Sequence, residues 1–142
     1  MIFVVKRRKL PLRVEDIMST PPVVIGLDAT IADAAKAMKS ERVGSVLVVD
    51  KEGKLRGIVT ERDIVFAVAE GWDPSARRVW EVMSENPIYV KPDEPLDEAV
   101  RKMRSLNVRH IPVVNEEGKP VGMVSFRDVL DTMITLISLM VG

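Results

Sequence analysis

The stretch GIVTERDI at residues 57–64 is repeated later in the chain as GMVSFRDV at residues 122–129. Both copies read glycine, two apolar residues, a hydroxyl residue, a variable residue, arginine, aspartate and a β-branched residue. The apolar residues after the glycine are typical of a strand. A hydroxyl residue with an acidic residue three positions later is typical of a capped helix N-terminus. Each copy therefore predicts a strand that runs directly into a helix.

The repeat extends well beyond this stretch. DIMSTPPVV at 16–24 aligns with EVMSENPIY at 81–89, and SVLVVDKEGK at 45–54 aligns with HIPVVNEEGK at 110–119. The alignment needs no gap between these segments and the quoted pair. A duplication of this length indicates one structural unit made twice.

Each unit predicts the element order β-α-β-β-α. A short β-branched run is followed by apolar residues at helical spacing, a near-continuous apolar run, a glycine-containing turn and the quoted strand and helix. The predicted strands are 23–25, 46–49 and 57–59 in the first unit and 88–90, 111–114 and 122–124 in the second, and the predicted first helices are 31–40 and 96–105.

One unit of about 50 residues buries too little apolar surface to be stable alone. We therefore expect an α+β fold in which two β-α-β-β-α repeats pack sheet to sheet. The expected boundaries are 12–70 for the first repeat, 77–131 for the second, and 132–142 for an apolar helical extension.

Composition excludes several classes of protein. The 142 residues include 21 basic and 21 acidic residues, so no net charge draws the chain to nucleic acid or an anionic membrane. There is no cysteine, which excludes disulfides, thiolate nucleophiles and cysteine-based zinc sites. The one histidine, His110, has no evident partners for a metal site or a catalytic triad, so we expect no enzyme and no metal.

The chain also shows no sign of a membrane segment. No apolar run approaches the roughly 18 residues that a membrane-spanning helix needs. The apolar run at 2–5 precedes the basic run at 6–9, which is the reverse of a secretory signal. We therefore expect a cytoplasmic protein.

The repeated hydroxyl–arginine–aspartate pattern has two interpretations. It can simply cap the following helix. It can also bind a ribose-phosphate, because a helix N-terminus attracts phosphate, arginine adds a charged donor and a carboxylate accepts from ribose hydroxyls.

These motifs, taken together and in this order, resemble the CBS domain, named after cystathionine β-synthase. The opening Met-Ser-x-x-Pro, the central apolar strand and the closing G-h-x-[ST]-x-x-D all occur twice, and the resemblance covers about residues 12–131. It implies a pair of repeats about a pseudo-two-fold axis, often called a Bateman module. It further implies binding of AMP, ADP, ATP or S-adenosylmethionine in clefts between the repeats, as an energy-sensing regulatory module rather than an enzyme.

The resemblance also implies which residues line two clefts, each with ribose and phosphate groups from one repeat and an adenine wall from the other. The first cleft would use Ser125, Arg127, Asp128, Arg109, His110 and Met123, with a wall of Thr20, Val24, Val43, Gly44 and Ser45. The second would use Thr60, Arg62, Asp63 and Ile58, with a wall of Glu85, Tyr89, Val108, Arg109 and His110.

The two clefts differ in charge. Arg109 and His110 align with an uncharged glycine and serine, so the first cleft gains two potential cations. Glu61 lies beside the phosphate position of the second cleft, where the first has Phe126. Because like charges repel, we expect the first cleft to bind a phosphorylated ligand more tightly.

The two ends of the chain suggest partners. The tail at 129–142 is apolar nearly all round, which favours a homodimer interface, although the tail could instead fold back on its own module. With little chain left for an effector domain, we expect the module to act on a separate protein effector. The alternative is a nucleic-acid-associated protein that uses the basic run at 6–9.

Overall fold

The computed structural model describes residues 12–142, so the basic run at 6–9 lies outside the described residues. The first half contains α1 (Val14–Ile17), β1 (Val24–Gly26), α2 (Ile31–Glu41), β2 (Ser45–Val49), β3 (Leu55–Thr60) and α3 (Glu61–Ala69). The second half contains a short 3-10 helix (Val79–Glu81), β4 (Ser84–Glu85), α4 (Leu96–Leu106), β5 (His110–Val114), β6 (Pro120–Ser125) and α5 (Phe126–Val141). The predicted α+β class is confirmed, and each repeat contains the two helices predicted for it.

The strands form two sheets. The larger sheet has the order β1-β2-β3-β4, with β1 parallel to β2 and the other pairs antiparallel. The smaller sheet is the antiparallel hairpin of β5 and β6. Leu55 N–H donates to the carbonyl oxygen of Gly118 at 3.0 Å, so the hairpin turns of the two repeats touch.

The prediction of a strand at 88–90 is wrong. Only one parallel bridge, between Val90 and Val113, is formed there. In the first repeat, Leu47 N–H donates to the carbonyl of Val23 at 2.9 Å. The aligned residue in the second repeat is Pro112, which has no N–H to donate. The ladder bond that would extend this strand therefore cannot form.

The opening segment of each repeat pairs with the other repeat. β4 opens the second repeat, yet its Ser84 and Glu85 pair with Ile58 and Gly57 on β3 of the first. In the same way, Ser19 of the first repeat forms a bridge with Met123 on β6 of the second. The two repeats are therefore joined by exchanged backbone contacts.

Each repeat has its own apolar cluster, which lies beneath α2 in the first repeat and beneath α4 in the second. In the first repeat, Ala34 and Met38 of α2 pack against the buried residues Val46, Val48 and Val59. Leu47 and Ile58 are also buried, and strand alternation places them on the opposite face of the sheet. Burial on both faces explains why β2 reads as a continuous apolar run. The second repeat builds the equivalent cluster from Leu96, Ala99, Met103, Ile111, Val113 and Val124.

The apolar tail continues α5 as one helix up to Val141. Ile17 of α1 and Leu136 of α5 line the same shallow groove, so the middle of α5 lies against its own chain. On other sides of the helix, Ile134 and Ile137 are 60% and 55% exposed. The tail therefore covers part of its own module and still presents apolar surface to solvent.

Candidate functional site

The helix N-termini of α3 and α5 carry the repeated pattern. At α5, Ser125 N–H donates to Asp128 Oδ2 at 3.0 Å, and Asp128 N–H donates to Ser125 Oγ at 3.1 Å. At α3, Thr60 N–H donates to Asp63 Oδ2 at 2.8 Å, and the Thr60 hydroxyl donates to the same oxygen at 3.2 Å. The capping interpretation is therefore confirmed, and these contacts use only one oxygen of each carboxylate.

The opening of the first repeat reaches the cap of α5. Ser19 N–H donates to the carbonyl of Met123 at 2.8 Å, and Met123 N–H donates back at 3.1 Å. The Ser19 hydroxyl lies 3.5 Å from Asp128 Oδ2. The structure thus brings Met123, Asp128 and the exposed Thr20, which follows Ser19, into one region.

Strand β5 begins beside the same helix N-terminus. His110 is the register partner of Ser125, and Phe126 N–H donates to the carbonyl of Arg109 at 2.8 Å. The side chains of Arg109 and Arg127 are exposed. Two guanidinium groups therefore stand on chain segments that border the N-terminus of α5.

The two repeats meet at Gly44. A Cβ atom on this residue would lie 3.2 Å from Glu61 Oε1 and 3.5 Å from His110 Nε2. A larger residue would therefore displace a side chain from one repeat or the other. The expected proximity of His110 to the Gly44 segment is present in the structure, together with Glu61 from the N-terminus of α3.

The pKa of His110 lies below its ordinary value of 6.5. Burial is the largest cause, the negative charges of Glu61 and Asp128 oppose it, and Arg109 adds to it. Of the two potential cations in the first cleft, His110 is therefore mostly uncharged at pH 7.

The residues of the second predicted cleft are less closely gathered. Glu85 on β4 pairs with Gly57 on β3, next to Ile58, and β3 leads to Thr60 and Asp63. Tyr89 and Val108 are 48% and 40% exposed. Tyr89 lines a cavity near the hairpin turns.

The remaining predicted residues lie on or next to β1, β2 and α3. Val24 is 44% exposed on β1, Ser45 is buried at the start of β2, and Val43 and Gly44 are half-buried just before it. Arg62 is exposed on the first turn of α3, in the same position as Arg127 on α5.

The repeated Met-Ser pair is a part of the site that the sequence reading did not assign. A Cβ atom on Gly122 would lie 2.7 Å from Met18 Sδ, and one on Gly57 would lie 2.5 Å from Met83 Sδ. The glycine of the repeated stretch is therefore needed because a methionine of the opposite repeat lies over it. The sequence signal for this contact was the occurrence of Met-Ser in both opening segments.

The described part of the chain offers neither a metal cluster nor a membrane-spanning helix. Among residues 12–142, no group of three or more His, Cys, Asp or Glu side chains is placed to hold a metal ion. Over this range no helix combines the length and apolarity needed to cross a bilayer.

Two repeats with exchanged opening segments, each ending in a Ser/Thr–x–Arg–Asp helix cap, define a tandem-repeat module of the CBS type. The family model described as CBS domain matches residues 14–70 and 79–135. The chain belongs to the CBS domain family.

Solved structures of this family share the fold. A CBS domain protein from Pyrobaculum aerophilum complexed with AMP is 32% identical, with a TM-score of 0.82 over 92% of this chain and 100% of that one. A CBS domain pair in complex with 5′-methylthioadenosine and S-adenosyl-L-methionine is 33% identical, with a TM-score of 0.80 over 86% of this chain and 95% of that one.

Curated relatives differ in length. The chain is 34% identical to an L-aspartate semialdehyde sulfurtransferase of Methanocaldococcus jannaschii, over 87% of this chain and 24% of that enzyme. It is 31% identical to a CBS domain-containing protein of Dictyostelium discoideum, over 87% of this chain and 92% of that protein. The chain thus spans about a quarter of the first relative and most of the second.

Proposed function

We propose that this protein is a non-catalytic, cytoplasmic regulatory module that binds an adenosine nucleotide of the AMP, ADP or ATP class between its repeats. The observation that carries the proposal is the approach of Ser19 to Asp128, 3.5 Å between hydroxyl and carboxylate oxygens. It places the opening segment of one repeat against the capped helix N-terminus of the other. Two relatives solved with AMP or with adenosine-containing sulfur compounds support the choice of ligand.

The chemistry of this region suits a ribose-phosphate. The N-terminus of α5 offers partial positive charge to a phosphate. Arg127 and Arg109 can supply charge-assisted donors, and the Asp128 oxygen not used by the cap can accept from ribose hydroxyls. Capping and ligand binding are compatible because they use different carboxylate oxygens.

The two clefts should not bind equally. Glu61 stands at the first position of α3, where it would repel a phosphate bound at that helix, whereas Phe126 stands there on α5. The Glu61 carboxylate also borders Gly44 and His110 of the Asp128 cleft, but it does not stand on the helix that would bind the phosphate there. His110 is mostly neutral in the free protein, and a bound phosphate would favour its protonated form. The Asp128 cleft should therefore bind a phosphorylated ligand more tightly than the Asp63 cleft.

Calorimetric titration with AMP tests this proposal. Asp128→Ala should weaken AMP binding at least about tenfold, because hydrogen bonds to a charged carboxylate are lost. Asp63→Ala should have a smaller effect on the tighter site. Wild-type protein that gives no binding heat with AMP, ATP or S-adenosylmethionine would contradict the proposal.

A control variant separates the loss of AMP contacts from the loss of a helix cap. Asp33 caps α2 with the same geometry: Thr30 N–H donates to its carboxylate at 3.0 Å, and its own N–H donates to the Thr30 hydroxyl at 3.0 Å. Asp33→Ala removes an equivalent cap away from the predicted cleft residues. It should leave AMP affinity unchanged.

We also propose that α5 packs against a second copy of the chain. Leu139 and Met140 are 76% and 86% exposed, in addition to the exposed isoleucines earlier in the helix. Apolar side chains in a row on a surface helix are typical of an interface. Such a homodimer would present its paired modules to a separate protein effector.

A further inference from the structure

A separate cavity of about 550 Å³ lies beside the hairpin turns. It is lined by Lys54 and Arg56 near the start of β3, by the segment Asn86–Tyr89, and by Lys102 of α4. Arg56 lies four residues before Thr60 on β3, about 13 Å along the strand. The cavity therefore opens at the end of the strand opposite the capped helix. Its volume falls in the range of small-molecule sites.

The cavity has an excess of positive charge, with three cationic side chains against the carboxylate of Asp50. That carboxylate is already engaged by the turn, since Asp50 Oδ1 accepts N–H groups of Glu52 and Lys54 at 2.9 and 3.0 Å. Its other oxygen lies 3.7 Å from the Arg56 guanidinium. Asp50 thus orients Arg56 without neutralising the site.

Both lysines of the cavity make long ion pairs. Lys54 Nζ lies 3.6 Å from Glu52, and Lys102 Nζ lies 3.8 Å from Glu94. Ion pairs of this length between side chains that keep contact with solvent are weak, so a ligand anion can replace them. Lys102 Nζ also donates to the carbonyl of Tyr89 at 3.3 Å, which fixes its ammonium group beside the tyrosine.

Apolar surface lies next to these charges. Ile88 and Tyr89 are 50% and 48% exposed, and both line the cavity. An exposed aromatic ring beside cationic groups matches a ligand that has a flat ring and an anionic group.

The duplication supplies an internal comparison. Arg56, Tyr89 and Lys102 align with Val121, Val24 and Ala37 in the other repeat. The equivalent place on the other side of the module therefore has neither the two cations nor the ring. Since that side folds with small apolar residues, the fold does not require the charged set.

We propose that this cavity binds a small anion that carries a flat ring, at a site that shares only Tyr89 with the second predicted cleft. Arg56 and Lys102 bind the anionic group, and the ring packs on Tyr89 and Ile88. Neither Arg56 nor Lys102 belongs to the clefts, so their substitution leaves cleft chemistry in place.

Amide NMR spectra during titration with phenyl phosphate test this site. Saturable shifts should appear at Asn86, Val114 and Gly118, which line the cavity and lie outside both predicted clefts. Inorganic phosphate and benzyl alcohol, which each supply half of the ligand, should bind more weakly. Shifts confined to Ser125–Asp128 and Thr60–Asp63, or no saturable shift, would overturn the proposal.

Variants that replace a cavity residue with the aligned residue of the other repeat test the proposed contacts. Arg56→Val and Lys102→Ala should each weaken phenyl phosphate at least about tenfold, because each removes a charged donor. Both should leave AMP-induced shifts at Asp128 unchanged. Arg101→Ala removes a neighbouring charge of α4 from outside the cavity and serves as the control. Equal affinity in Arg56→Val, Lys102→Ala and wild type would overturn the assignment.

Discussion

Val14 and Val79 occupy the same position in the two repeats, and each is fully buried in the apolar cluster of the opposite repeat. Their backbones are held in the same way. Val14 N–H donates to the backbone carbonyl of Glu94 and Val79 N–H donates to that of Ala29, both at 2.9 Å. Each cluster is therefore completed by a residue from the opening segment of the other repeat. This exchange couples the stability of the two halves.

Val14→Ala and Val79→Ala should each destabilise the whole protein by about 2–3 kcal/mol, since two buried methyl groups are lost and a cavity remains. Chemical denaturation should still show one cooperative transition at a lower midpoint. Val65→Ala on α3, where the side chain is 67% exposed, should change stability by less than about 0.5 kcal/mol. Two separate transitions in the Val14 variant would contradict the coupling.

Gly122→Ala should destabilise the protein by about 1–3 kcal/mol through overpacking. The added methyl group would lie 2.7 Å from Met18 Sδ and 3.1 Å from the Ser19 carbonyl oxygen. Because Ser19 also approaches Asp128, AMP binding should weaken as well. Gly26→Ala is the matched control, since nothing lies within 4 Å of the added atom. Thermal unfolding and calorimetry measure both effects, and equal behaviour of the two variants would rule out this contact.

Stability should fall as the pH drops below about 6.5, the ordinary pKa of histidine. Burial holds the pKa of His110 below its ordinary value of 6.5, so the unfolded chain takes up this proton first. The contribution of neutral His110 is complete above that value and is lost as the pH passes through the lower folded pKa. The charges that face His110 are Glu61 and Asp128, which oppose the lowering of its pKa, and Arg109, which adds to it.

Melting temperatures of wild type and His110→Gln, measured from pH 8 to pH 5, test this origin. The difference between the two proteins should change across that interval, because only the wild type carries the imidazole. Parallel curves would show that another group controls the pH dependence.

Ile137→Glu should convert the proposed dimer into a monomer. A carboxylate on the exposed side of α5 would have to be buried without a partner at the interface. Sedimentation velocity measures the change, and Ser40→Glu on the exposed face of α2 is a control of equal charge. A wild-type protein that sediments as a monomer would contradict the dimer.

Much of the fold was predictable because its signals are local. The helices at 31–41 and 96–106 were predicted to within one residue at each end from the spacing of apolar residues. Gly53 and Gly118 have φ angles of 82° and 80°, which accounts for the glycine expected in each hairpin turn. The missing strand at 88–90 depends on a single absent N–H at Pro112, which apolar pattern alone does not register.

The candidate site was predictable in its chemistry and less so in its geometry. Asp63 and Asp128 were identified from a repeated stretch, and their caps are present. The lowered pKa of His110 could not be predicted, because its largest cause is burial, which depends on the tertiary structure. Ser19 was not assigned because its contact with Asp128 spans most of the chain.

The sequence by itself determined the duplication, the element order and the caps, because alternation, helical spacing and capping pairs act over a few residues. The tertiary structure alone decided the exchange of Val14 and Val79 and the meeting of Arg56 and Lys102 in one cavity. These contacts join segments far apart in the chain. They form only when both sheets pack, since neither cluster is complete without a residue from the other repeat.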